Sequence, residues 1–383
     1  MTALAAPTFF PAPAVARTAP LGTVEKPLPL IIDSDPGLDD ALAIGLAVAR
    51  PEIDLLAVTT VGGNADVRHC TTNALRLLHL YGAGDVPVAE GSAGALFGRI
   101  VRATEIHGEA GIGSTTLPPS PAEARPEGAV DLIASILRSH PEPVVLAPIG
   151  PLTNIALLLR LHPDLASRIA HVCLMGGSIG DGNTTSSAEF NIYADPEAAA
   201  IVFESGLPIT MMGLDVTHQA VLYTAASDRL RGLGTRSGAV AAELADYALK
   251  REGQWYGTPR MSVHDAVAVA HLAIPDLVDV ADYDVQVDTG DGPARGRTVC
   301  DGLPVRVERK GRTFNAQVGI RIAELIFGIL QQFFDEREGQ LTLTWRAKSD
   351  RQRDAFRLRD AMVRDVGWQV QQVPGPHDQL LLG

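Results

Sequence analysis

Short apolar segments alternate with helical segments from residue 28 onward. LPLIIDSD and EPVVLAPIG have the length and composition of buried parallel strands, and a helical segment such as LDDALAIGLAVAR follows each of them. A loop rich in Gly, Ser and Pro over residues 92–126 interrupts the alternation. The pattern therefore predicts an α/β protein with a mostly parallel, open, Rossmann-like central sheet and helices on both of its faces.

The two ends of the chain do not follow this alternation. Residues 1–27 are rich in Ala and Pro and lack the basic start of a signal peptide, so we interpret them as a flexible N-terminal extension. We expect residues 28–335 to form the main domain. Residues 340–383 contain LTLTW, a charged helical stretch and WQVQQVP, which indicates a small accessory strand-helix-strand element.

Charge and composition exclude several classes of partner. The net charge of -13 argues against a nucleic-acid-binding surface, which would be basic. The sequence contains no apolar run of about 18 residues, so we expect no membrane span. The 3 cysteines are far apart and odd in number, which is typical of reduced thiols. We therefore expect a cytoplasmic protein whose ligands are small molecules.

An acidic cluster, DSDPGLDD, lies where the first strand ends and the first helix begins. Asp39 and Asp40 alone could be a capped helix start with a solvated acidic turn, because the helix dipole favours anions there. Asp35 beside them is harder to explain, since converging carboxylates repel one another unless a cation neutralises them. Oxygen ligands suit calcium or magnesium, and calcium accepts a looser mixture of carboxylates, carbonyls and hydroxyls.

Two further segments carry weaker signals. His264 and Asp265 open an apolar helix, where Asp265 could serve only as a helix cap. Asn183, Glu189 and Asn191 could hydrogen-bond the hydroxyls of a sugar, but they could also belong to an ordinary polar loop. Neither segment identifies a site by itself. By contrast, Asp35, Asn64, Ile149 and Met175 fall at the carboxyl ends of predicted strands, where ligands bind in open α/β sheets.

In this order, the segments resemble the inosine-uridine-preferring nucleoside hydrolase family. DSDPGLDDALAI is similar to the family's DxDPGxDD signature, although Ser34 stands where Thr or Cys is usual. The similarity extends from about Leu28 to Phe334. The other matching segments are VGGN (61–64), IHGEAG (106–111), GPLTNIA (150–156), LMGG (174–177), AEFNIYADPEAA (188–199) and HDAVAVA (264–270).

The resemblance implies the nucleoside hydrolase fold and a role for each matching residue. It implies that calcium is bound by the carboxylates of Asp35, Asp40 and Asp265 and by the main-chain oxygen of Ile149. His264 would donate a proton to the leaving base. Asp33 and Asn154 would lie next to these groups without contacting the calcium or the substrate. The residues implied to contact the substrate are Asp39, Asn64, His107, Met175, Asn183, Glu189 and Asn191.

The implied reaction is hydrolysis of the N-glycosidic bond of a ribonucleoside to free base and ribose. A calcium-bound water, activated by Asp35 as general base, would attack through an oxocarbenium-like transition state. The resemblance also implies a homodimer or homotetramer. The preferred nucleobase stays open. Trp255 and Tyr256, expected in the loop before His264, could form a lid over the base or pack against the helix end.

Two other functions compete with this interpretation. A haloacid dehalogenase-type phosphohydrolase would use Asp33 as nucleophile and Asp35 as acid/base, but it needs Thr or Val where this chain has Gly37. A non-enzymatic nucleoside- or ribose-binding protein could share the fold. The complete set of acidic and polar residues argues against such a loss of catalysis.

Overall fold

The computed structural model of the protein describes residues 21–97, 100–274 and 276–322. The accessory element predicted over residues 340–383 lies outside these residues, as does most of the predicted N-terminal extension. In the described part of the chain, no helix is long and apolar enough to cross a membrane.

Among the described residues, nine strands form the central sheet, in the order β10-β9-β11-β6-β5-β4-β1-β2-β3, and two short strands, β7 and β8, pair separately. All neighbours from β3 to β11 are parallel, while β9 runs antiparallel to both β11 and β10. The strands are β1 (Leu28–Ser34), β2 (Ile53–Thr60), β3 (Val88–Glu90), β4 (Val144–Pro148), β5 (Ile169–Met175), β6 (Ile209–Met212), β7 (Val221–Leu222), β8 (Met261–Ser262), β9 (Val278–Val287), β10 (Thr298–Asp301) and β11 (Ala316–Ile322).

Most helices connect consecutive strands, as the alternation predicts. A 3-10 helix at Pro163–Arg168 precedes β5. The α-helices are α1 (Asp40–Ala49), α2 (Val67–Leu80), α3 (Thr104–His107), α4 (Ala129–Ser139), α5 (Thr153–Leu161), α6 (Phe190–Ala194), α7 (Pro196–Phe203), α8 (Leu214–Thr217), α9 (Thr224–Gly232), α10 (Arg236–Tyr256), α11 (His264–Ala273) and α12 (Pro304–Arg309).

Strand β1 lies in the middle of this architecture and is buried along its whole length. Its side chains alternate between two cores, because successive residues of a strand point to opposite faces. Leu30 and Ile32 belong to the core beneath α1, α2, α10 and α11. Ile31 belongs to the core beneath α4, α5 and α7. The prediction of a mostly parallel sheet with helices on both faces is confirmed.

Two local predictions were wrong in part. The segment 92–126 is not a continuous loop, since it contains the short helix α3. Trp255 and Tyr256 do not lie in a loop but in the last turn of α10. That helix continues to Tyr256 because Gly257, with φ 75°, takes the left-handed conformation that ends it, and its amide donates to the carbonyl oxygen of Gly253.

Candidate active site

The residues that follow the parallel strands gather at one edge of the sheet. The loop after β1 carries Asp35, the loop after β2 carries Asn64, and β4 leads directly into Ile149. Strand β5 ends at Met175, and β6 leads through Gly213 into α8. Because parallel strands end on the same side of a sheet, this edge receives polar groups from five connections.

Carboxylates from two distant parts of the chain meet at this edge. One oxygen each of Asp39, Asp40 and Asp265 lies within 4.8 Å of the others, and all three side chains are buried. Asp35 is also buried, and its negative charge raises the pKa of Asp265. The structure thus brings four acidic side chains into one pocket, where the DSDPGLDD segment supplies three and the start of α11 supplies the fourth.

The hydrogen bonds around Asp40 hold it firmly in place. Its Oδ1 accepts from the hydroxyl of Ser34 at 2.6 Å, and its Oδ2 accepts from the amide of Gly37 at 2.9 Å. The side-chain amide of Asn64 also donates to Oδ2, at 2.9 Å. Ser34 can make this bond as Thr could, so the departure from the family's usual residue keeps the hydroxyl donor.

Asp35 is held on one side only. Its Oδ2 accepts from the main-chain amide of Asn64 at 2.6 Å. Its Oδ1 is buried and has no hydrogen-bond partner among the described residues. A Cβ atom at Gly63 or Gly150 would overlap this carboxylate, so both positions require glycine. An unpartnered carboxylate oxygen in a buried pocket is costly unless a cation or a proton satisfies it.

The electrostatic consequence is a strong preference of these acids for their protons when no cation is near. Burial, followed by the charge of Asp40, raises the pKa of Asp35 well above its ordinary value. Burial and the charges of Asp39, Asp40 and Asp35 do the same for the pKa of Asp265. The pKa of Asp39 rises to about 8 through burial and the charge of Asp40. Clustered oxygen ligands of this kind fit a hard divalent cation, which would offset both effects.

The ends of β4 and β5 are joined at this edge by α6 and the residue before it. The side-chain amide of Asn191 donates to the carbonyl oxygens of Ile149, at 3.0 Å, and of Met175, at 3.1 Å. Glu189 accepts from the amides of Gly177 and Asn191, both at 2.9 Å. These bonds tie the ends of β4 and β5 to α6. Ile149, Met175, Glu189 and Asn191 are therefore all at the predicted edge and all buried.

Asn183 lies further out and is exposed. Its Oδ1 accepts from the main-chain amide of Phe190 at 2.9 Å. It thus shapes the loop in front of Glu189, at the rim of the site.

Two histidines face the site from other directions. His107, at the end of α3, accepts from the amide of Leu38 through Nδ1 at 3.2 Å, and burial lowers its pKa to about 4. His264 begins α11, and its Nδ1 lies 2.7 Å from the hydroxyl oxygen of Thr217. Burial and, secondarily, the charges of His218 and Arg260 lower the pKa of His264 well below its usual value. Burial thus disfavours the protonated form of both rings.

Asp33 lies behind the cluster, with only 1% of its surface exposed. Its Oδ1 accepts from Thr59 at 2.6 Å and from the side chain of Asn154 at 2.8 Å. Burial raises its pKa to about 7. A phosphohydrolase nucleophile must face its substrate, whereas Thr59 and Asn154 hold Asp33 from behind the cluster, which argues against Asp33 in that role.

Several residues at the site carry no sequence motif. Thr217 and His218 come from the short α8 and its end, and the ring of His218 meets His264 edge to face at 5.4 Å. The guanidinium of Arg260 lies 4.6 Å from the ring centre of Tyr256. The only signal that could have found Thr217 is its place just after β6, at the edge where the other polar residues gather.

Comparison with known proteins gives a consistent result. The model of the inosine-uridine preferring nucleoside hydrolase family matches residues 30–325. A pyrimidine-specific ribonucleoside hydrolase RihA from Escherichia coli O1:K1 / APEC is 42% identical over 276 residues, which are 72% of this chain and 88% of the relative.

Solved structures agree in fold over most of the chain. A purine-preferring ribonucleoside hydrolase from Gardnerella vaginalis has a TM-score of 0.74 and 34% identity, covering 80% of this chain and 98% of its own. An inosine-guanosine nucleoside hydrolase has a TM-score of 0.72 and 31% identity over the same shares, 80% and 98%. These matches cover most of the chain, and its buried acids meet at the edge where the family's motifs predict them. The chain therefore belongs to the inosine-uridine preferring nucleoside hydrolase family, whose members hydrolyse the N-glycosidic bond of ribonucleosides.

Proposed function

We propose that this ribonucleoside hydrolase depends on calcium, held by the carboxylates of Asp35, Asp40 and Asp265 and by the main-chain oxygen of Ile149. The observation that carries the proposal is the buried acidic pocket, in which Oδ1 of Asp35 lacks a partner among the described residues. Among those residues, no ion pair neutralises any of the clustered acids. Several buried carboxylates without a cation would oppose folding at neutral pH.

The donor set favours calcium over other cations. The proposed ligands are carboxylate and carbonyl oxygens, with no cysteine sulfur and no imidazole among them. Calcium accepts six to eight oxygen ligands in flexible geometry, so sugar hydroxyls can complete its shell. When bound, the ion would supply positive charge that keeps the carboxylates ionised and lowers the pKa of a nearby water.

The protein's own residues account for the proton movements. Asp35, whose Oδ1 is free to accept, takes a proton from water while the water oxygen bonds to C1′ of the ribose. The bond between C1′ and the base nitrogen breaks, and His264 gives a proton to that nitrogen. Because burial lowers the pKa of His264, the ring must first take up this proton from solvent, and solvent finally removes the proton from Asp35.

The polar walls hold the ribose. Asp39 belongs to the carboxylate cluster and Asn64 donates to Asp40 within it, so both could bond the 2′- and 3′-hydroxyls. Asn191 bonds Ile149, Glu189 bonds the amide of Asn191, and Asn183 at the rim is suited to the 5′-hydroxyl. Met175 offers an apolar surface beneath the sugar, and His107 lies on the side of the base.

The relatives include proteins named for pyrimidine substrates and proteins named for purine substrates, so experiment must decide which nucleobase is preferred. The RihA relative is named pyrimidine-specific at 42% identity, and the solved structures at 34% and 31% are named for purine substrates. We propose uridine and cytidine as the preferred substrates, because the pyrimidine-specific relative has the higher identity of these three.

The deciding experiment is a panel of ribonucleosides assayed for ribose release, with and without a chelator. We expect release from uridine and cytidine, loss of release with the chelator, and recovery on adding calcium. Activity that survives exhaustive chelation would contradict the metal proposal. Faster release from inosine or guanosine would contradict the base preference alone.

A further inference from the structure

The ring of His264 contacts α8 on two sides. Its Nδ1 lies 2.7 Å from Oγ1 of Thr217, and the His218 ring meets it edge to face, with centroids 5.4 Å apart and planes at 61°. Thr217 is fully buried, whereas His264 is only partly buried. With Nδ1 taken by the threonine hydroxyl, Nε2 is the ring nitrogen left for a substrate.

Helix α8 is itself fixed to the sheet on which the site is built. The amide of Leu214 donates to the carbonyl oxygen of Gly177 at 2.9 Å, directly beyond β5. The amide of Val263 donates to the carbonyl oxygen of Ala220 at 2.9 Å. This bond joins the segment directly after α8 to the residue before His264. The Thr217 hydroxyl therefore stands in a fixed relation to both the ring and the pocket.

A partly exposed imidazole without such a bond can flip about its χ2 torsion, which exchanges Nδ1 with Cδ2 and Nε2 with Cε1. A flipped ring would present the carbon Cε1 to the base in place of Nε2. Proton transfer needs the donor within hydrogen-bond reach of the acceptor, so loss of orientation lowers the rate without weakening substrate binding.

We propose that Thr217 is a positioning residue for hydrolysis, whose hydroxyl holds the His264 ring so that Nε2 faces the leaving base. The inference rests on the proposed role of His264 as proton donor. It concerns orientation only, and it holds whichever partner carries the shared hydrogen atom.

The test compares Thr217→Val, which has nearly the same shape but no hydroxyl, with Thr217→Ser, which restores the hydroxyl. Each variant is assayed with uridine and with p-nitrophenyl riboside, whose leaving group needs no proton. We expect Thr217→Val to lower kcat for uridine about 10- to 100-fold with little change in KM, and to leave p-nitrophenyl riboside almost unaffected. Thr217→Ser should recover most of the rate.

The chain offers a matched control. Thr210 in β6 makes the same kind of buried bond, with its Oγ1 2.8 Å from Nε2 of His171, away from the acidic pocket. Thr210→Val should lower the melting temperature about as much as Thr217→Val does and leave kcat for uridine unchanged. Equal kcat losses in the two valine variants would show a general structural effect and would overturn the inference.

His264→Ala separates this inference from the proposed function. If His264→Ala turns over uridine slowly while Thr217→Val is normal, the positioning role of Thr217 is wrong and the role of His264 stands. If His264→Ala turns over uridine normally, the proton-donor role is wrong and the inference fails with it. Equal losses on uridine and p-nitrophenyl riboside in Thr217→Val would also overturn the inference.

Discussion

The main-chain nitrogen of Asp265 lies 3.4 Å from Oδ2 of Asp39, although 226 positions separate the two residues in the chain. The contact joins the start of α11 to the start of α1, and both helices pack on the same face of the sheet. It closes the acidic pocket, because the carboxylate of Asp265 completes the cluster with Asp39 and Asp40. Neither segment by itself supplies all the carboxylates of the cluster.

The first prediction concerns Asp265→Asn. Replacing one carboxylate by an amide removes a ligand and also relieves repulsion among buried acids. Residues that only hydrogen-bond a metal ligand typically contribute roughly 10- to 100-fold to activity, and we expect Asp265→Asn to lower activity by more than that. We also expect that calcium no longer raises the melting temperature of this variant. In chelator, the variant should be at least as stable as the parent.

Asp279→Asn is the control, because Asp279 pairs with Arg321 on another part of the sheet. It should keep both activity and the calcium-induced rise in melting temperature. A calcium response of normal size in Asp265→Asn, measured by thermal unfolding and by titration calorimetry, would show that Asp265 is not a ligand.

The second prediction concerns pH in the absence of metal. The pKa values of Asp33 and Asp39 are raised from 3.8 to about 7 and about 8 by burial, with the charge of Asp40 contributing at Asp39. Between pH 3.8 and 8 the folded protein holds protons that the unfolded chain releases, so stability falls as pH rises. Buried His171 and partly buried His271, whose pKa values desolvation lowers from 6.5 to about 4, act in the opposite direction below pH 6.5.

The informative window is therefore pH 6.5 to 8. In chelator, we expect the melting temperature to fall across it, and with calcium the fall should be smaller because the cation stabilises the ionised carboxylates. Thermal unfolding at both pH values, with and without calcium, measures the difference. A melting temperature in chelator that stays constant or rises across this window would refute the prediction.

Much of the site followed from the sequence because it depends on local rules. The alternation of strands and helices predicted the sheet, and the rule that ligands bind beyond the strand ends placed Asp35, Asn64 and Met175 near one another. Family resemblance added Asp265, which no local pattern connects to Asp35. Of the two competing functions, the position of Asp33 behind the cluster argues against the phosphohydrolase. Membership of the nucleoside hydrolase family argues against a protein that only binds nucleosides.

The parts that could not be predicted depend on tertiary packing or on a missed cap. Thr217 meets His264 only because α8, which follows β6, packs against α11 in the folded protein. A four-residue helix leaves no periodicity in the sequence that could predict this contact. Trp255 and Tyr256 were predicted in a loop, but they end a helix. Gly257, directly after Tyr256, is a standard signal for a helix end and could have predicted this. Trp255 and Tyr256 are about half exposed, at 56% and 45%, so a contact with the base stays a prediction.

The third prediction concerns His264→Ala. The variant lacks the proton donor to the leaving base, so kcat for uridine should fall by about 10²- to 10⁴-fold, the usual contribution of a general acid. Hydrolysis of p-nitrophenyl riboside should be nearly normal. The comparison of kcat for both substrates, with calcium binding measured in parallel, distinguishes loss of the acid from damage to the neighbouring Asp265. Similar losses on the two substrates would remove His264 from the leaving-group step.

The last prediction concerns Asn154, which connects three buried segments behind the acidic pocket. Its side-chain amide donates to Oδ1 of Asp33 at 2.8 Å and to the carbonyl oxygen of Thr60 at 2.9 Å, and its Oδ1 accepts from the amide of Ser92 at 3.0 Å. Asn154→Ala should cost about 2–4 kcal/mol of unfolding free energy, because buried polar groups lose their partners.

Asn154→Asp tests the donor half of this role by itself. The new carboxyl group can still accept from Ser92, but when ionised it cannot donate to Asp33 and it adds a second buried charge beside that acid. When protonated it regains one donor, so Asn154→Asp should be closer to the parent in stability at pH 5.5 than at pH 8, whereas the deficit of Asn154→Ala should change less. Urea unfolding at the two pH values measures both. Equal deficits of Asn154→Asp at both pH values would mean that the donated bond to Asp33 contributes little to stability.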